Sequence, residues 1–504
     1  MGIRGDEDIM TEETGSDLIA AEDVLLFVNA AVTSTGQREF RSDAHRQRLS
    51  LDFLHEYVRV NYRTVYAASL ALDINDHNAA RIVEQLLRTA GEAGEMGPGR
   101  KRTEGRLIAA RLALLPPQRV YRLFRALREA KVSNRRTRAI LRDWLAARPD
   151  LGLDAVKYRA GLKTAARHFH LPLTTATGAG PAAGELGDFL FAPGVRRRYE
   201  HGLLDAHRRA RYEQAALYEL PFTVAEGFAA KHGVKRSAFV ERIAPRMTRR
   251  ERLRTQRESG ADEKGAAVRT NLAVMPLTRL ALYALSLPVD ERIRRRAELT
   301  GALREAARRA AGAHAGTWGR VAAVLDDSYS SSGSGEKRRR PLGVALGGHF
   351  LLEALAAPGS YGAWWTSGRT DPLLVRPHGP TPLGTRVVDA LEYAPDRLVI
   401  VSDGWDNAPP GLAGEVLRVW RTRLDSERRT TVVHLNPVYD ADDFDVRRLA
   451  ASVPTAGIRD AEDLPALAEI AQFAEGRTGL AELQAYLDRR TETFLLRYEG
   501  GGGP

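Results

Sequence analysis

The sequence predicts a multidomain protein in which an all-α, irregular helical-repeat array precedes an α/β domain with a doubly wound parallel sheet. Three observations carry this reading. A chain of 504 residues exceeds what one hydrophobic core supports. From about residue 23 to residue 315, apolar residues recur at spacings of three and four, and strand-like runs are nearly absent. After His314 the rhythm changes to short, continuous apolar runs alternating with helical stretches, the mark of a parallel sheet covered on both faces.

Residues 1–22 are acidic and lack a basic start or apolar stretch, so they read as a disordered tail and not a signal peptide. In the helical region, Leu51, Leu54, Val58 and Tyr62 share one helical face, as do Leu107, Ala110 and Leu114. Breaks fall at Asp73–His77, Gly91–Gly99, Leu115–Pro117 and Ala147–Asp150. Short helices between such breaks suggest stacked pairs, HEAT-like in character and possible to close into a ring, with no fixed sequence period. Residues 172–187 and Arg257–Ala267 read as loops, with helix returning over Leu272–Ser286 and Asp290–Ala311.

In the last part, strands are expected at Trp318–Leu325, Tyr361–Thr366, Arg397–Val401 and Thr430–Leu435, with a short edge strand at Thr455–Ile458. Helices are expected at Pro341–Leu355, Thr385–Tyr393, Ala413–Leu424, near Asp445–Ala451, and within 462–492. The α/β domain then spans 316–494, and 495–504 is a flexible tail.

The chain has no cysteine, which excludes disulfides, zinc-thiolate sites and cysteine nucleophiles. No apolar run of 18 residues exists, so a transmembrane helix and a membrane partner are not expected, and a cytoplasmic location is. The net charge of +11 is unevenly spread. Residues 1–100 carry −7, residues 101–315 carry +23, and residues 316–504 carry −5. Basicity confined to the middle of the chain points to a polyanion, with nucleic acid first.

Asp326, Ser328 and Ser330 follow the first expected strand, Thr381 lies in a middle loop, and Asp403 follows a later strand. Two carboxylates and three hydroxyls form an all-oxygen set suited to Mg2+ or another hard divalent cation. The pattern resembles the von Willebrand factor A domain and its metal-ion-dependent adhesion site. The resemblance covers roughly 316–494 and implies that Asp326, Ser328, Ser330, Thr381 and Asp403 hold the ion. The segment Ser331–Arg340 is longer and more basic than that family's usual link and is expected to reshape the rim of the site.

Several basic constellations lie in the helical region. Lys131 precedes Arg135, Arg138 and Arg142, which fall on one helical face able to track phosphates. Lys157, Arg159, Lys163, Arg167 and His170 are interleaved with Tyr158 and Phe169, which offers stacking as well as charge to single-stranded RNA. Arg196, Arg197 and Arg198 form a third group, followed by His207, Arg208, Arg209 and Arg211. Each of these equally suits a solvated surface; their concentration in one region favours a basic groove.

A helical array followed by a von Willebrand A domain is similar to the Ro ribonucleoprotein family with its TROVE module. The local match is Lys157-Tyr158-Arg159 with His170-Leu171-Pro172, without that family's usual Gly-Trp between them. The resemblance implies binding of small noncoding, Y-RNA-like RNA and single-stranded RNA ends, with Lys157, Arg159 and His170 in contact. It also implies an RNA quality-control or scaffold role, with an exoribonuclease as a possible protein partner at the metal site. No Walker, nucleophile-elbow, His-Glu-x-x-His or kinase motif is present, and no catalytic residue is assigned. The alternative is a metal-site protein-interaction adaptor of a bacterial ATPase or chaperone-type complex, with no RNA role.

Overall fold

The computed structural model describes residues 21–92, 97–178, 180–195, 198–248, 251–252, 255, 272–465 and 480–500. The loop read at Arg257–Ala267 and the basic residues Arg196 and Arg197 lie outside the described residues. The chain forms two compact units. One comprises residues up to Asn78 together with Asn271–Glu492, and the other comprises Ala79–Thr270 with Thr493–Pro504.

The sequence boundary at residue 315 marks a change of rhythm; the compact units partition the chain elsewhere. The N-terminal helices 21–33 and Ala44–Asn61 belong with the sheet. The reason is specific polar pairing over a long sequence separation. Asn29 Nδ2 donates to Asp445 Oδ1 at 2.8 Å, and Asn29 Oδ1 accepts from Gly457 N at 2.9 Å. Gln47 Nε2 donates to the Tyr439 carbonyl at 3.0 Å. Periodicity reports a helix's own buried face and says nothing of which domain covers it.

The first unit is α/β. Its strands are β1 (Val321–Leu325), β2 (Tyr361–Trp365), β3 (Arg397–Val401), β4 (Thr431–Asn436), β5 (Tyr439–Asp440), β6 (Asp445–Val446) and β7 (Thr455–Gly457). Five of them form a parallel sheet in the order β2-β1-β3-β4-β7. Val321 pairs with Tyr361 on one side and Arg397 on the other. On one face, Leu383, Val387 and Ala390 of helix Leu383–Glu392 and Leu417 of helix Leu412–Arg423 pack on Ala322, Val324, Leu398 and Ile400. Helix Arg340–Leu355 is buried along most of its length because it is covered twice. A Cβ on Gly348 would lie 3.8 Å from Val401 of the sheet, and one on Gly343 only 2.5 Å from Leu282 of helix Leu277–Ser286. A helix apolar all round is the expected result.

The chain leaves β1 for β2 on one side and later places β3 on the other. The carboxyl ends of β1 and β3 therefore flank the topological switch point, where such sheets open a crevice. The expected edge strand near Thr455 is present. The helix expected near Asp445–Ala451 is not: β5 and β6 form a small antiparallel pair there. Phe444, at φ +55°, leaves helical space immediately before it, and the Asp445 carboxyl is buried on Asn29.

Among its described residues the second unit has helices joined by turns and loops, and no strand. Helix Pro117–Glu129 packs on Arg159–His168, Pro98–Leu114 on Arg135–Ala146, and Leu151–Lys157 on Gly202–Arg209. Its centre is aromatic, with Tyr121, Phe124, Trp144 and Phe169 meeting at ring distances of 5.3–5.8 Å. Gly161 permits a close approach, since a Cβ there would lie 2.4 Å from that of Tyr121. The Gly-rich loop ends at Ala182; helix Ala183–Phe191 begins within the stretch read as loop, driven by burial of Leu186, Phe189 and Leu190. Among the described residues, no helix is long and apolar enough to cross a membrane.

Candidate metal centre and basic helical surface

Asp326 leaves the end of β1, its backbone N–H donating to the Val401 carbonyl of β3 at 3.0 Å. Its Oδ1 accepts from Ser328 N at 2.9 Å and from Thr366 Oγ1 at 3.1 Å. Ser328 Oγ and Ser330 Oγ are 3.3 Å apart, and the Ser330 hydroxyl lies close enough to Asp403, just after β3, to lower its pKa. Asp326 and Asp403 are 4% and 6% exposed. Burial, and then the facing charge of Asp403, push the Asp326 carboxyl up to about 7; burial likewise raises Asp403. Two desolvated carboxylates this close need a proton or a cation between them.

Thr381 is buried on the adjoining loop, its N–H donating to Asn407 Oδ1 at 2.8 Å and its carbonyl accepting from Asn407 N at 3.2 Å. Tyr329 N donates to the Gly379 carbonyl, which ties that loop to the motif. Asp326, Ser328 and Ser330 are thus joined by hydrogen bonds, Asp403 lies beside Ser330, and Thr381 lies on the neighbouring loop. Among the described residues, no three carboxylate or imidazole groups converge as a metal site. A cation here would rest on two carboxylates completed by hydroxyls and water, which fits the Mg2+ preference for retained water. Asp327, next to the motif, is spent on structure: it accepts from Thr366 Oγ1, Ser367 N and Ser367 Oγ and pairs with Arg369 at 3.4 Å. Thr366, at the end of β2, was not singled out from the sequence; a Thr in a strand carries no local signal.

The rim holds the other surprise. The basic segment Ser331–Arg340 turns inward. Lys337 forms a buried ion pair with Glu39, Arg339 donates to the Leu285 carbonyl, and Arg340 donates to the Arg459 carbonyl at 2.6 Å. Ser334 Oγ donates to the Arg38 carbonyl at 2.6 Å, and the Arg38 N–H donates to Glu336 at 3.2 Å. This segment anchors residues 38–41 beside the site. There Phe40 meets Tyr329 edge-on at 5.9 Å, and the Arg41 guanidinium lies 4.0 Å over Trp405. Arg447 lies over Trp405 at 3.7 Å, and both arginines lower the Asp403 pKa against its burial.

In the helical unit, Arg159, Lys163 and Arg167 fall at i, i+4 and i+8 along one face of helix Arg159–His168. Lys163 and Arg167 lie 5.8 Å and 4.5 Å from the ring centre of half-buried Phe191. Arg159 Nη2 donates to the Phe189 and Leu190 carbonyls at 2.6 Å and 3.1 Å, closing the end of helix Ala183–Phe191. Arg211 joins from the adjacent segment. Desolvation and then Arg211 lower Arg159; desolvation, then Arg159 and Arg167, lower Lys163. Half-buried His207 is driven down to about 4 by desolvation, Arg211 and Arg159. No carboxylate among the described residues pairs with Arg159, Lys163, Arg167 or Arg211.

The rest of the basic set divides. Arg135 and Arg138 are exposed on helix Arg135–Ala146, and Arg142 is paired with Asp143 at 3.0 Å. Lys131 and His170 are exposed with left-handed backbones at φ +56° and +54°. Lys157 is half-buried and Arg198 exposed. Arg209 is neutralised by Asp205, Glu213 and Glu219. The stacking role expected of Tyr158 and Phe169 does not hold. Phe169 is 1% exposed in the core, and Tyr158 stacks on Tyr121 at 5.4 Å. Phe191, missed from the sequence, is the aromatic that lies beside the stripe; its partners come from a helix about 25 residues earlier, which no local pattern shows.

No protein-family model matches this chain, and comparison with curated proteins returns no match.

Proposed function

We propose that the helical unit binds RNA of Ro type, small noncoding RNA and single-stranded ends, and that the α/β unit is a von Willebrand A domain that docks a protein through Mg2+. The observation that carries the RNA reading is the group of Arg159, Lys163, Arg167 and Arg211, four cations with no acidic counterpart among the described residues. Like charges held together lower one another's pKa, a cost that a polyanion removes. Arg159, engaged on two carbonyls, positions the stripe, while Lys163, Arg167 and Arg211 offer free donors to phosphates. The adaptor reading without RNA leaves this stripe unexplained. In the α/β unit, Asp326, Ser328, Ser330, Thr381 and Asp403 would hold the ion, which supplies a Lewis-acid position for a partner's carboxylate.

The test is anisotropy of labelled single-stranded RNA across a salt series. Lys163→Ala, Arg167→Ala and Arg211→Ala together remove three phosphate contacts. The slope of log affinity against log salt then falls by about 2, at roughly 0.7 per contact. Unchanged affinity and slope in this variant overturn the reading.

A further inference from the structure

The metal centre and the paired arginines beside it have complementary charge. A divalent cation would cancel the charges of Asp326 and Asp403. Asp327 is already cancelled by Arg369, Asp442 by Arg46 at 3.3 Å, and Asp445 by Arg448 at 3.5 Å. Arg41 and Arg447 are left, and neither has an acidic partner within ion-pair distance among the described residues. They lie against the Trp405 ring, at 4.0 Å and 3.7 Å from its centre, and both act on the Asp403 charge. A guanidinium held against a ring keeps its rim of N–H donors free, the form that takes a carboxylate two at a time.

Both arginines are fixed from behind. Arg41 follows residues 38 and 39, which are tied down by Ser334, Glu336 and the buried Lys337–Glu39 pair. The Arg447 carbonyl accepts from Asn436 Nδ2 at 2.9 Å, and it passes so close to Gly404 that a Cβ there would lie 2.5 Å from it. Gly404, at φ +77°, joins Asp403 to Trp405 and so couples the cation site to the arginine pair.

We propose that this rim selects an acidic peptide segment with two neighbouring carboxylates, one meeting the cation and the second meeting the free N–H donors of Arg41 and Arg447. The inference rests on reading Asp326 and Asp403 as a cation site. It adds residues from the far N-terminal segment to that site and narrows its ligand from any carboxylate to a paired one. A base-stacking nucleic acid is disfavoured because Trp405, the ring at the site, is already occupied by guanidinium groups.

Full-length protein is titrated with blocked peptides Gly-Asp-Asp-Gly and Gly-Asp-Asn-Gly in 5 mM Mg2+ (about that concentration) or EDTA, by calorimetry. Wild type is expected to bind the diacid about tenfold or more tighter than the monoacid, and only with Mg2+. Arg41→Gln with Arg447→Gln brings that ratio close to one while Mg2+ still raises the melting temperature, by at least as much as in wild type because two positive charges beside Asp403 are gone. That rise reports folding and the cation site independently of the peptide. An unchanged ratio in the double variant, or no peptide binding despite an intact Mg2+ response, overturns the proposal and leaves the cation site standing. No Mg2+ response, and none lost in Asp326→Asn, overturns both. Tighter binding of inorganic phosphate or a dinucleotide than of the diacid peptide overturns it in favour of a phosphate ligand.

Discussion

Replacing Asp326 by Asn should stabilise the metal-free protein and abolish its response to Mg2+. Asn keeps the oxygen that accepts from Ser328 N and Thr366 Oγ1 and removes the charge that faces Asp403. In the folded protein the carboxyl keeps its proton up to about pH 7, and in the unfolded chain only to about 3.8. Between those values the folded state holds the extra proton, so metal-free stability falls as pH rises through this window. The deficit is absent below the lower value and complete above the upper one. Three units at about 1.4 kcal/mol each set an upper bound of about 4 kcal/mol. Relaxation and water entry reduce this, and an increase of roughly 2 kcal/mol at pH 8 is expected. At about 2 °C per kcal/mol, the melting temperature in EDTA rises by about 4 °C. Mg2+ should raise wild type and leave the variant unmoved, and the difference between the two in EDTA should close as pH falls toward 4. A variant less stable than wild type in EDTA at pH 8, or a Mg2+ rise equal in both, refutes the reasoning.

Other consequences are as specific. Lys337→Met alone should cost about 3–5 kcal/mol, because it leaves Glu39 charged and buried; adding Glu39→Leu should recover most of that in urea unfolding. Gly404→Ala should destabilise by about 1–3 kcal/mol and weaken the Mg2+ response, since it forces an L-residue into φ +77° against the Arg447 carbonyl. His434, buried between Ser402 and Thr455, is depressed to about 4 by desolvation. Its contribution is complete above about pH 6.5 and is lost as pH falls from there toward 4, by about 3 kcal/mol at most. His434→Gln should flatten that acid limb of the stability profile. Tyr121→Phe, losing the hydroxyl on Asp154 at 3.0 Å, should cost the helical unit about 1 kcal/mol in thermal unfolding.

The α/β part was legible because each buried strand is a continuous apolar run bounded by polar turns, and β3 begins and ends where that pattern does. Asp445–Val446 was misread because its local spacing permits a helix, and the pairing that decides it comes from Tyr439 and Asn29. In the helical unit, spacing alone aligned Arg159, Lys163 and Arg167. It could not show that Arg159 is half committed to two carbonyls, that Phe169 is core, or that Phe191 lies beside the stripe.

The sequence by itself determined the classes of structure, the oxygen-only donor set after β1 and β3, and the confinement of positive charge to the middle of the chain. These depend on periodicity and composition, which are local. Tertiary structure alone decided which charges are free and which are spent. Lys337, Arg339 and Arg209 are neutralised or capped, while Arg41, Arg447, Lys163 and Arg211 are left without acidic partners among the described residues. It also placed Arg41 beside Asp403 across more than 350 residues of chain. A charge acts through its distance in space to other charges and through its exposure to water, and neither distance is written along the chain.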